Sequence, residues 1–382
     1  MTACATEPTA DATGSTVRRA GFTIAADGSY AACLAQASGG GNWFPERWTL
    51  DSTEPYTVPL PGNQPEEPSS EVLPLPDGRV LIRRRVAYRH DLSLLYPTGP
   101  GTGEVWLGSL DGGIDDVRLL PPSASGDALA RSYDAQADVT AVWLVHGGSQ
   151  LRRLAMVSGR CTGGVWLDDT GRMLALDREA DGRTKAVAVD LEHGDVSPLL
   201  QITDDSNDRL LLADPDSGLL VLRSDAPGED RLGWGILGSR LPVRFPEALR
   251  VPDAVLTPFA AQPGQMLAPD ACAVALRADG PQGTCIAVWR PGGRRALWLT
   301  GPDGWLPGTG MWTARGVLRL PYACPHCPCG VVSYEASAVP PTEPAAPAQK
   351  PPAQGAPAQE APAQEPPHNR VLPLQQAPLG GG

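Results

Sequence analysis

A chain of 382 residues, 42% of them hydrophobic and ten of them Trp, can bury one large β core or two average ones. Its net charge of −12 excludes non-specific attraction to nucleic acid or to anionic membranes, and no run of about 18 apolar residues is present to span a bilayer. Gly 43 and Pro 41 together make about a fifth of the chain, which excludes long helices and demands many turns.

Met1 to Val17 carry acids and small polar residues ahead of Arg18-Arg19, without the apolar stretch of a secretory signal. The expectation is a flexible N-terminus over residues 1–18 on a cytoplasmic protein. Its eight Cys would then be thiols or metal ligands rather than disulfides.

Residues 19–336 carry a loose repeat. An acidic or glycine turn precedes an apolar strand at Ala26-Asp27-Gly28-Ser29 before Tyr30–Leu34, and at Pro76-Asp77-Gly78-Arg79 before Val80–Ile82. The same pattern places Asp138 before Val139–Val145, Asp168 to Arg172 before Met173–Leu176, and Asp214 to Gly218 before Leu219–Leu222. Pro269-Asp270 precedes Ala271–Leu276, and Arg315-Gly316 precedes Val317–Leu320. These turns recur at intervals of about 34 to 60 residues, averaging the 40 to 50 that a four-stranded sheet unit needs. Between them lie Val-Trp-type strands such as Glu104–Leu107 and Ile286–Trp289, followed by hairpin turns such as Asp111-Gly112-Gly113 and Pro291-Gly292-Gly293. Short strands joined by hairpins suit antiparallel meanders, and α/β crossover helices are missing. The fold class is therefore all-β, a β-propeller of about seven (six to eight) four-stranded blades.

These turns and strands resemble the WD40-like propellers of bacteria, including TolB-type units and the propeller domains of prolyl-oligopeptidase-like proteins. The Gly-His and Trp-Asp pairs of strict WD40 repeats are missing, and no hydrolase domain follows. The resemblance implies the fold and a recognition role rather than catalysis.

Several clusters invite chemistry. Arg83-Arg84-Arg85, with Arg89 nearby, reads as a small basic patch or a solvated strand face. His146 and Ser149, with Gly147-Gly148, fit a hairpin turn rather than a nucleophile elbow, since Gly-x-Ser-x-Gly does not occur. Asp168-Asp169, Asp204-Asp205-Asn207-Asp208 and Asp214/Asp216 lack the alternation of a calcium loop and read as turn-capping acids. Gly39-Gly40-Gly41 has no following Lys-Ser/Thr and is no phosphate loop.

The sharpest cluster is Cys324-Pro-His326-Cys327-Pro-Cys329. Cys-x-x-Cys spacing lets two thiolates share a tetrahedral Zn²⁺, with His326 or Cys329 as a third ligand. A closed site needs four, so Cys272, Cys285 or another chain would complete it. A redox pair and a rigid loop of ordinary thiols remain open as alternatives, although the βαβ context of a thioredoxin-like motif is missing.

From residue 337 to 382 the composition changes to Pro-Ala-Gln repeated every five residues from Pro347, which builds no core and predicts a disordered polyproline-II spacer. Val371, Leu372, Leu374 and Leu379 form an apolar motif near its end. The functional expectation is a scaffold or recognition propeller for a protein or peptide partner, not for nucleic acid or membrane, with the tail as tether. The rivals are an enzyme with its site at the channel mouth, and a zinc or redox module at the cysteines.

Overall fold

Several of the acidic turns hold their strand start by a side chain that replaces a backbone partner. Asp77 Oδ1 accepts from the amide of Arg79 at 3.0 Å, and Gly78 behind it takes φ +82°, a conformation that a Cβ would strain. Asp168 accepts from the amides of Arg172 and Met173, and Asp214 from that of Ser217. Within the acidic clusters, Asp168 and Asp214 are therefore turn-capping groups.

The computed structural model describes residues 17–37, 39–99, 101–112, 116–264 and 267–335. The apolar motif of the tail and the spacer before it lie outside the described residues. Strands occupy seven consecutive units. Blade 1 holds β1 (Arg18–Ile24), β2 (Tyr30–Gln36), β3 (Trp43–Thr49) and β4 (Tyr56–Pro59). Blade 2 holds β5 (Glu71–Pro74), β6 (Val80–Val86), β7 (Arg89–Pro97) and β8 (Thr102–Asp111). Blade 3 holds β9 (Val117–Leu119), β10 (Ala128–Asp134), β11 (Val139–His146) and β12 (Arg152–Ser158). Blade 4 holds β13 (Arg160–Trp166), β14 (Met173–Ala180), β15 (Arg183–Asp190) and β16 (Val196–Leu200). Blade 5 holds β17 (Asp208–Asp214), β18 (Leu219–Ser224) and β19 (Arg231–Ile236). Blade 6 holds β20 (Val255–Ala261), β21 (Val274–Gly280), β22 (Gly283–Trp289) and β23 (Leu297–Leu299), and blade 7 holds β24 (Met311–Trp312), β25 (Val317–Cys324) and β26 (Cys327–Glu335).

Within every blade consecutive strands are antiparallel neighbours. Two blades depart from four strands: in blade 5 the fourth position is a single bridge between Trp234 and Arg244, and blade 7 has three strands. Blades 4 and 5 touch through one parallel pair, Lys185 with Asp208. The fully buried Asp208 carboxylate is neutralised there by Lys185 Nζ at 2.8 Å and accepts from Ser206 and Ser224.

The core is divided into seven clusters, each lying between two adjacent blades. Period-two alternation sorts one strand between two of them. On β2, Ala32 and Leu34 face blade 2 while Ala31 and Cys33 face blade 7. On β21, Val274 and Leu276 face blade 5 while Ala275 faces blade 7. On β14, Leu174 and Leu176 face blade 3 while Ala175 faces blade 5. Both faces are buried, which is why these strands read as continuous apolar runs.

The ring closes between blades 7 and 1 without a shared strand. The cluster of Ala31, Cys33, Leu50 and the fully buried Trp48 meets Leu306, Ala323, Cys329 and Val331 across the seam. Arg319 Nη2 donates to the Leu50 carbonyl at 2.7 Å, and Arg19 Nη2 to that of Pro328 at 3.3 Å. Arg19 also pairs with Glu46 at 2.8 Å and lies over the Trp48 ring, whose Nε1–H donates to Glu46.

The uneven repeat spacing has a local cause. The turn before β10 is Ser123 to Gly126, with Gly126 at φ +82° and its amide bonded to the Ser123 carbonyl. Asp138 lies instead in the β10–β11 hairpin, at φ +51°. With Gly126 in its place, the turns recur every 45 to 52 residues or so.

Candidate functional site: the central channel

Inner strands of blades 1–5 surround a cavity of about 660 Å³. Its wall is mostly apolar: Ala20 on β1, Val72 and Leu73 on β5, Leu119 on β9 with Leu120 and Pro121 after it, Val165 on β13, and Leu210 and Leu211 on β17. Glu71, Arg118 and Asp177 are the charged groups in that wall. A mainly apolar pocket with a few polar groups is the usual form of a ligand site.

Glu71 opens β5 and gathers three donors. Arg118 Nη1 reaches Oε1 at 2.6 Å, the Leu119 amide reaches Oε2 at 2.8 Å, and Arg83 Nε reaches Oε2 at 3.2 Å. Arg83 is only 1% exposed and also donates to the Ser69 carbonyl at 2.8 Å and to His90 Nδ1 at 2.6 Å. An arginine only donates, so His90 accepts at Nδ1. This corrects the reading of Arg83 to Arg85 as a basic patch or solvated face. Arg83 is a buried strut, Arg84 is paired with Glu66 and Glu104, and only Arg85 remains exposed.

Asp177 follows the apolar run of β14. Its Oδ1 accepts from the Leu210 amide of blade 5 at 3.0 Å, and Oδ2 lies beside Gly163. Burial pushes its pKa up to about 6, against the pull of the Leu210 amide and of Arg209. Near the Glu71–Arg118 pair, the buried Arg131 donates to the Cys161 carbonyl, and burial first, then Arg118, depresses its pKa.

Spacing could not reveal this set. Glu71 and Arg118 are 47 residues apart, and Asp177 belongs to a third blade. One signal was available: each is a charge set against an apolar stretch, in Glu71-Val-Leu, Val-Arg118-Leu-Leu and Leu-Ala-Leu-Asp177.

The cysteine cluster lies elsewhere, on the β25–β26 hairpin. Cys324 and Cys327 are register partners across the two-residue turn Pro325-His326. A bulge between Tyr322 and Cys324 separates Cys329 from this pair. Cys329 packs with Val331 against the Trp48 cluster, where burial, then Glu46, raises its pKa to about 12. Cys327 Sγ contacts the Cys329 carbonyl at 3.3 Å and interacts with the Tyr322 hydroxyl. His326 is exposed at the turn. Cys272 is buried between blades 5 and 6, and Cys285 lies against that same core on β22.

Among the described residues, three His, Cys, Asp or Glu ligand atoms converge only at Asp190, Glu192 and His193. Arg172 occupies that corner, at 2.7 Å from Asp190 and 2.8 Å from Glu192, and holds the Asp190 pKa well below the usual carboxylate range. His146 meets Arg79 at 3.2 Å rather than Ser149, in keeping with a turn. No helix among the described residues is long and apolar enough to cross a membrane.

No protein-family model and no curated protein matches this sequence. Solved structures do match in fold. The β-propeller domain of the trilobed protease from Pyrococcus furiosus, described as having an open velcro topology, aligns with a TM-score of 0.54 at 9% identity, over 84% of this chain and 94% of that one. A prolyl endopeptidase, from work on inter-domain dynamics in catalysis and specificity, gives 0.51 at 10% identity over 85% of this chain. Prolyl oligopeptidase B from Galerina marginata gives 0.50 at 11% identity, also over 85%. This chain spans 47% and 49% of the lengths of those two. Sequential antiparallel blades, seven inter-blade cores and these alignments agree: the protein is a seven-bladed β-propeller, similar in fold to the propeller domains of these peptidases.

Proposed function

We propose that the protein is a recognition module that seats an extended segment of a protein or peptide partner in the mouth of its central channel, with no bond chemistry of its own. The supporting observation is the 660 Å³ cavity, whose apolar wall is interrupted by the Glu71–Arg118 pair and by Asp177. The half-buried Leu119, Val165 and Leu211 would contact apolar side chains of the guest. The Asp177 carboxylate, ionised above about pH 6, would accept from a basic side chain or a main-chain N–H. The proline-rich residues 337–382 would tether the module to its assembly in the cytoplasm.

Selection of displayed random peptides against the purified full chain tests this reading. Enriched sequences are expected to bind wild-type protein and to lose at least tenfold in affinity against Thr23→Trp, which projects an indole from the cavity wall. Peptides that bind Thr23→Trp equally well would remove the channel from the account.

Asp177 favours one second reading, a catalytic site at the channel mouth, because a carboxyl that titrates near pH 6 can exchange protons at neutral pH. Turnover of a peptide or ester substrate that Asp177→Asn abolishes while binding persists would select it.

A further inference from the structure

We propose that Cys324 and Cys327 form half of a tetrathiolate zinc site, which a second copy of this chain completes tip to tip. Directly opposed residues of an antiparallel hairpin project to the same face, so both thiols of the register pair are presented together. The bulge removes Cys329 from that face and commits it to the seam beside Trp48. The hairpin tip is accessible, with Pro325, His326 and Pro328 all exposed.

Two thiolates are too few for zinc, which takes four ligands in a structural site. Among the described residues no third His, Cys, Asp or Glu atom converges on the pair. Cys33, Cys161 and Cys272 are buried in blade cores. The missing ligands therefore come from outside the described fold. A second hairpin tip would supply two thiols of the same geometry from an equally exposed turn. Binding converts four thiols and one Zn²⁺ into a Zn(SR)₄ centre of charge −2 and releases four protons to the buffer, with no change in oxidation state. The resulting dimer would present two channels, and a partner carrying two segments would gain avidity from it.

The full chain, reduced and stripped with chelator, would be titrated with Zn²⁺ and followed by metal content and light scattering. The expected result is one zinc per two chains, with a doubling of the 40.1 kDa mass that EDTA reverses. Cobalt in place of zinc should give a thiolate-to-metal charge-transfer band. Cys324→Ser and Cys327→Ser should each abolish the band and the dimer, while Cys329→Ser, if its circular dichroism is native, should keep both. Three results would each overturn the proposal: no metal retained, one zinc per monomer, or a dimer that ignores Cys324→Ser.

Discussion

Asp177 sits where burial and hydrogen bonding oppose each other, and burial wins. Its folded pKa of about 6 lies above the ordinary 3.8, so the native state holds the proton more tightly than the unfolded chain. The stability contributed by this group is fully present below about pH 4 and is lost as pH rises through 6. Asp177→Asn keeps the acceptor for Leu210 without the charge. It should flatten this fall and raise stability at pH 7 by about 2 kcal/mol. Urea unfolding at pH 4.5 and pH 7 checks it; an unchanged pH slope would contradict the assignment. Glu71→Ala should cost about 3 kcal/mol, because Arg83 is left buried with its charge uncompensated, and Glu71→Gln should cost less. Denaturant midpoints of both variants read this directly.

This residue scale is where the sequence was least informative. Alternation along β6 correctly separates Arg83 from Arg84, but it carries no record of how deep each position lies. Two of the partners of Arg83, Glu71 and Ser69, come from 12 and 14 residues earlier, across a turn. The cysteines show the opposite case. Their spacing exposed a two-thiol pair, while the bulge that turns Cys329 away is a tertiary feature.

At the scale of the element, the second strand of each blade is a wedge whose two faces serve different neighbours. Leu276 and Ala275 on β21 are both fully buried, one toward blade 5 and the other toward blade 7. Leu276→Ala opens a cavity and should cost about 3 kcal/mol. Ala275→Leu overfills the tighter face and should cost about 1 to 3 kcal/mol. Thermal unfolding of the two variants tests the wedge; a neutral Ala275→Leu would mean that the face is loose. Most elements were legible because acidic turns and apolar runs are local. The turn at Ser123 to Gly126 was missed because serine, not an acid, opens it.

At the scale of the whole molecule, the ring is held shut by side chains instead of by a strand shared between its ends. Trp48 is the largest side chain of the apolar cluster at that seam, with Arg19 and Arg319 adding hydrogen bonds. Trp48→Ala should cost about 3 to 5 kcal/mol. Arg319→Ala should cost about 1 kcal/mol. Hydrogen exchange should show Trp48→Ala loosening β25 and β26 together with β2 and β3. Loosening confined to β2 and β3 would mean that the seam bears little load.

The inner strands of blades 1–5 line a mixed apolar and charged cavity, and recognition is proposed to occur there. Amide hydrogen exchange of the full chain, with and without a selected peptide, tests that assignment most directly. New protection is expected along β1, β5, β9, β13 and β17, the strands that line the cavity. Protection restricted to outer strands such as β8 and β12, with the inner strands unchanged, would contradict it.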